Sequence, residues 1–322
     1  MMSRTFRALA FLCIGFAGLV RTHVANAQIG VSKITAASPS ALAPSNRRFQ
    51  GSIQLSVIAT DANREIFVVH EIIPIQASGA ITLFYPEWKT GSHAPTASVA
   101  DLAGLLVHAD GQRIECQRDR VDSHPFQVKV LPGANTIDID FQFLAPRSAA
   151  LLRPDMIAVP WHRMLLYPAG WNTKDLPVAA RLTLPHGLHA FTALDTADKE
   201  GDTLVFAATT LAALIDAPVY AGRHWLQLEL GSDEKAPVRL DMLADEAAEL
   251  AITPGEVEKL LAMVRQTNQT LRTWPLPPLR RDSLAQRCIV SLGVELSTSK
   301  KARTTCLQPF SWIMRTSSTT AI

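Results

Sequence analysis

Residues Tyr85 to Pro95 read YPEWKTGSHAP and place a carboxylate (Glu87), an amine (Lys89), a hydroxyl (Ser92) and an imidazole (His93) among aromatic rings and prolines. Those groups belong to nucleophilic or acid–base chemistry. A serine nucleophile, however, needs its base and an orienting acid to meet it through space. Adjacency of Ser92 and His93 does not build that arrangement, and no GxSxG elbow occurs anywhere in the chain. A zinc hydrolase of one common class would show HExxH, in which two histidines one helical turn apart bind zinc and the glutamate between them activates water. That motif is absent, and all nine histidines lie at or before His224. The nearest pair, His186 and His189 in PHGLH, is interrupted by Gly187 after Pro185, which opposes the helix that would align the rings. Zinc takes at least three protein ligands and no third is evident, so the two read as surface turn histidines. Glycines are too scattered for a phosphate loop or a dinucleotide fingerprint. No residue is assigned as catalytic, cofactor-binding or metal-binding, and no cofactor is expected in this chain.

The elements that would have to position any site begin after a leader. MMSRTFR, the apolar run ALAFLCIGFAGLV and the small residues Ala25-Asn26-Ala27 read as a signal peptide over 1–27, cleaved after Ala27, which implies export to the periplasm or the medium. Its apolar run is too short to span a bilayer, and no later segment is long and apolar enough to do so. The segment carries Arg4, Arg7 and Arg21 and no acid, so its removal takes the net charge from +2 to −1. A chain of that charge lacks the basic face of a nucleic-acid binder. Cys116, Cys288 and Cys306 then remain, an odd number without tight spacing, which is no disulfide framework; Cys116 reads as buried or unpaired.

Residues 28–48, rich in Ser, Ala and Pro, read as a flexible leader. From there strand follows strand. IQLSVIA and EIFVVHEIIPI, joined by TDANRE, predict a hairpin, and turns are expected at Asp110-Gly111 and Pro132-Gly133. Closely spaced short strands with little helical periodicity predict a mainly β fold, an antiparallel β-sandwich or saddle-like domain over 49–243. The period then changes. Thr253-Pro254-Gly255-Glu256 is a capping box, and Val257, Leu260, Leu261 and Val264 follow at helical spacing, predicting one α-helix that ends near Thr273 within a segment 244–279. Residues 280–322 hold 13 Ser or Thr and seven Arg or Lys against Asp282 and Glu295, and show neither periodicity nor turn grammar; they read as an irregular tail.

Read together, four blocks carry a family resemblance. Tyr85-Pro86-Glu87-Trp88-Lys89-Thr90-Gly91-Ser92-His93-Ala94-Pro95 with Asp101-Leu102-Ala103-Gly104-Leu105 resembles the "YPKWxPGxHxP…GL" signature of the N-terminal domain of the glycyl aminopeptidase family of zinc metallopeptidases. Leu165-Leu166-Tyr167-Pro168-Ala169-Gly170 resembles its "LLYPAG". Leu182-Thr183-Leu184-Pro185 with Gly187 and Thr192-Ala193-Leu194 is similar to "LxLPxGW…TAL", without the tryptophan. LAALIDAPVYAG, residues 211–222, resembles "LxxLvDSPVxxG". The resemblance implies a saddle-like β domain that precedes a thermolysin-like catalytic domain, with YPEW and LIDAP as scaffold corners. In that reading prolines fix the bends, Tyr85 and Trp88 pack, and Gly91 and Gly222 stand where a Cβ would obstruct.

Beyond the helix the chain departs from the family. Gly293-Val294-Glu295 echoes "GLEH", but Leu296 stands where histidine would follow, and no zinc motif comes after it. The expectation is a non-catalytic chain, truncated or frameshifted before the family's zinc centre. Its helix face at Val257, Leu260, Leu261 and Val264 would then lack a partner and invite aggregation or proteolysis. The alternative is a secreted module that binds peptide or protein along an exposed sheet edge; the oligomeric state is left open.

Overall fold

The computed structural model describes residues 44, 47–76, 78–88, 98–146, 150–231, 238–273 and 288–293. The expectations for the signal peptide, most of the leader, Lys89, Ser92, His93, Cys306 and most of 274–322 lie outside them. Among the described residues the fold is mainly β, in four sheets. The largest runs in the order β14 (Thr196–Glu200), β15 (Thr203–Phe206), β12 (Pro177–Thr183), β1 (Ile53–Asp61), β2 (Ile66–Pro74), β8 (Thr136–Leu144), β4 (Leu102–Ala109) and β5 (Gln112–Arg113), with β16 (Thr209–Thr210) also on β12. A second sheet orders β11 (Tyr167–Pro168), β3 (Gly79–Phe84), β7 (Pro125–Val130) and β6 (Cys116–Arg118). A third orders β13 (His189–Phe191), β17 (Val219–Gly222), β10 (Met156–Val159) and β9 (Leu151–Leu152). The fourth joins β18 (His224–Gly231), β19 (Val238–Ala244) and β20 (Cys288–Gly293).

Strict alternation builds the central strands. Ile53, Leu55, Val57 and Ala59 of β1 and Ile137, Ile139, Phe141 and Phe143 of β8 turn inward, while the residues between them are exposed or half-buried. β1 and β2 form the expected antiparallel hairpin. Asp110 and Gly111 both have positive φ (49° and 74°), the backbone that a two-residue turn between β4 and β5 demands. Pro132-Gly133 is also a turn, but it carries the chain from β7 in one sheet to β8 in another. Pairing is antiparallel throughout except at β1–β12 and β19–β20, which run parallel. Alternation does not encode those two directions, because a strand's inward and outward residues are the same whichever way its neighbour runs.

The end of the leader is tied down: Phe49 is buried, its ring meets Trp171 edge-on at 5.3 Å, and the Arg47 guanidinium lies 5.6 Å from the Trp171 ring centre. A short helix unforeseen in the sequence, α1 (Leu211–Ile215), follows β16. Its five residues are too few to show a period, but Thr210 Oγ1 accepts from the Ala213 N–H at 3.2 Å and caps it.

The long helix α2 (Pro254–Thr273) starts as expected. Glu256 Oε2 accepts from the Thr253 N–H at 2.8 Å and from the Thr253 hydroxyl at 2.7 Å. Thr253 Oγ1 in turn accepts from the Glu256 N–H at 3.4 Å. Thr253→Ala removes this reciprocal cap, and amide exchange in the first two turns of α2 should quicken about fivefold, measured by mass spectrometry, against an unchanged rate in β8.

Two expectations about the C-terminal part need correction. The face of α2 is not without a partner: Leu260, Leu261 and Val264 pack on Leu228, Leu230, Leu240 and Met242 of β18 and β19. Alternation along that hairpin was read as part of the 49–243 domain, whereas the hairpin forms its own sheet and turns one face to the helix. Within 280–322, Cys288–Gly293 is a strand in parallel register with β19, from Val238↔Cys288 to Leu243↔Gly293. Six residues with one polar interruption are too short to stand out in a Ser/Thr-rich segment.

Candidate functional site

Tyr85, where β3 leaves its sheet, is buried, and its hydroxyl donates to the Arg163 carbonyl at 3.0 Å. Burial pushes that hydroxyl's pKa far above its ordinary range. The Arg163 guanidinium is itself buried, donates to Asp101 Oδ2 at 3.3 Å and lies 6.0 Å from the Phe143 ring centre. Asp101 closes a single helical turn, Val99–Asp101, capped by Ser98. Tyr85 of the YPEW block and Asp101 of the DLAGL block therefore meet on one arginine between Trp161 and Leu165. Next to this knot, Leu166 of the LLYPAG block donates its N–H to Glu71 Oε2 at 2.9 Å. Glu71 is fully buried in the inward register of β2, between Leu55 of β1 and Ile139 of β8. Its Oε1 has no hydrogen-bond partner among the described residues, and burial raises its pKa well above the ordinary glutamate value. These contacts hold the corner together, as the scaffold reading expects.

Trp88 departs from that reading. Three residues past the buried Tyr85 it is 51% exposed rather than packed. It stands on the wall of a cleft of about 300 Å³ at the end of the second sheet. Phe84 of β3 and Tyr167 of β11 face each other there with ring centres 5.8 Å apart. Glu87 lies close enough that its charge, after burial, helps to raise the Tyr167 hydroxyl's pKa. Asp122 and His124, from the turn before β7, form another wall and pair at 3.3 Å between Asp122 Oδ1 and His124 Nδ1. Ala212 and Ile215 of α1 supply apolar surface. YPEW, LLYPAG and LAALIDAP, far apart in sequence, thus line one concavity. Asp122, His124 and the helix residues were not anticipated, because neither spacing nor residue type marks them until the chain folds.

The histidines singled out in PHGLH point to different partners. His186, 91% exposed at its side chain, meets Asp202 across the turn at 3.2 Å. His189 stacks on Trp225 at 4.2 Å and 17° between rings, and burial lowers its pKa. Cys116 is half-buried and free, with its thiol pushed up to about 11 by burial. Gly222 matches expectation through space rather than through backbone angle: a Cβ there would sit 2.8 Å from Leu243 Cδ2. Among the described residues no three His, Cys, Asp or Glu side chains are grouped to hold a metal ion. Zinc, which the family implies, needs at least three such donors; these residues do not fit it, and no chemical step is derived through it.

The described residues define a multi-sheet β scaffold in which the YPEW, LLYPAG and LAALIDAP blocks line one cleft. The chain belongs to the family of the peptidase M61 N-terminal domain, whose model matches residues 54–223. The recognition drawn from the four sequence blocks therefore stands. No curated protein matches the sequence. Among solved structures, an aminopeptidase N family protein from Idiomarina loihiensis is similar in fold, with a TM-score of 0.59 at 16% identity, over 74% of this chain and 38% of that one. An M1 zinc metallopeptidase mutant from Deinococcus radiodurans, bound to a Tyr-Ser-Ala substrate, gives 0.41 at 12% identity over 77% and 58%. The chain thus spans well under half the length of the first of these proteins.

Proposed function

We propose that this chain is an exported, non-catalytic N-terminal domain of a zinc aminopeptidase of the glycyl aminopeptidase type. The observation that carries the reading is the family match over 54–223, which covers the β scaffold, joined to a sequence in which HExxH does not occur. In such a protein the β domain supports a separate catalytic domain that removes N-terminal residues from peptides. The contacts of Tyr85, Asp101 and Arg163 support a structural part for the signature residues of this one.

The test is direct. Purified chain is incubated with aminoacyl and dipeptide substrates, with zinc added and with a chelator. No chelator-sensitive hydrolysis is expected. Turnover that zinc restores after chelation would overturn the non-catalytic reading. Export is tested separately by N-terminal sequencing of the periplasmic or secreted product, which should begin at Gln28. A second reading, a stand-alone peptide- or protein-binding module, is favoured by one observation, the open cleft with Trp88 on its wall.

A further inference from the structure

The cleft has a definite chemical character. Two carboxylates, Glu87 and Asp122, line it, and among the described residues neither lysine nor arginine does. Its aromatic surface comes from Trp88, Phe84 and Tyr167, and Trp88 remains half-exposed although Tyr85 and Pro86 before it are buried. Tryptophan on an open wall, with negative charge beside it, is the environment in which a cation is held over a ring face. The apolar surface of Ala212 and Ile215 adds room for an aliphatic stem. At about 300 Å³ the cleft is at the small end of ligand sites, sized for a single long side chain and not for a folded partner.

We infer that this cleft binds the side chain of a lysine or arginine presented by a peptide, with Trp88 and Tyr167 against the stem and cation and Glu87 and Asp122 against the charge. Glu87 sits in the intermediate range of exposure and Asp122 at the surface, so the cation enters from solvent without a buried charge being left unpaired. The inference does not depend on the non-catalytic reading: a chain with peptidase activity elsewhere could hold a basic residue here, and a chain without activity could fail to.

The experiment uses the full chain and three N-acetylated, C-amidated tripeptides, Gly-Lys-Gly, Gly-Arg-Gly and Gly-Lys-Gly with its lysine amine acetylated. Binding is followed by calorimetry and by NMR shifts of the tryptophan indole N–H groups. The lysine and arginine peptides should saturate one site, move the Trp88 signal and weaken as salt rises. Trp88→Ala and Glu87→Gln should each weaken binding about fivefold or more, and Trp88→Phe should retain part of it. Both positions are at least partly exposed, so unchanged thermal melting checks that the variants fold. Three results would overturn the inference: no saturable binding in the millimolar range, equal binding of the acetylated peptide, or variants that bind as the parent does.

Discussion

Asp101→Ala lowers the stability of the β scaffold by about 3 kcal/mol, the loss expected when a buried arginine keeps its charge and loses its carboxylate. Arg163 is held at 6% side-chain exposure and Asp101 at 22%, so water can replace little of the lost partner. For a domain of this size that is a fall of about 10 °C in melting temperature. The effect belongs to the loss of this carboxylate beside a buried guanidinium and not to the missing methylene. Adding Arg163→Met to the Asp101→Ala chain should therefore recover a good part of the loss, since an apolar chain of similar length needs no counter-charge. Calorimetric melting of the two variants and the parent decides it. A single Asp101→Ala variant that melts with the parent would show that the pair holds nothing together. A double variant less stable than the single would place the worth of Arg163 in its contacts with His162 and the Phe143 ring instead.

This knot also marks how far the sequence could be read. Turn and cap chemistry is local, and it was legible: Asp110-Gly111, the β1–β2 hairpin and the Thr253–Glu256 box all form from neighbouring residues. Burial of Tyr85 followed from its place at a proline-marked corner. The partner that matters to Tyr85 did not, because the Arg163 carbonyl is reached only after β4, β7 and β8 have folded between them. Aromatic residues beside prolines usually pack, and the sequence carries no sign that this corner turns the Trp88 ring outward. The helix face was read as lacking a partner because β18 and β19 look like every other hairpin of the domain, and only their pairing apart from the larger sheets frees them to cover it. The cleft was invisible for the same reason, being assembled from the end of β3, the turn before β7, β11 and α1.

Along β2 the inward positions are Phe67, Val69, Glu71 and Ile73, so plain alternation puts a carboxyl into the core of a central strand. The consequence is a dependence of stability on pH that runs opposite to that of most carboxylates. In the unfolded chain Glu71 titrates near its ordinary value of 4.5, while burial raises it well above that in the fold. The folded protein then holds the proton more tightly. Its contribution is fully present below pH 4.5 and is lost as pH rises toward the folded-state pKa, at up to about 1.4 kcal/mol per pH unit. Asp61, Asp119 and Glu256, each with a lowered pKa, act in the other direction, but only as pH falls below their ordinary values of 3.8 to 4.5, beneath the range in which the Glu71 contribution is lost. Glu71→Gln leaves them untouched, keeps an acceptor for the Leu166 N–H and cannot ionise. Urea unfolding of parent and variant at pH 5, 6, 7 and 8 should therefore show the variant gaining on the parent at each step upward. If the difference between them stays constant across that range, Glu71 does not hold its proton in the fold, and a charge must be accommodated beside Leu55 and Ile139 by means that its unpartnered Oε1 does not reveal.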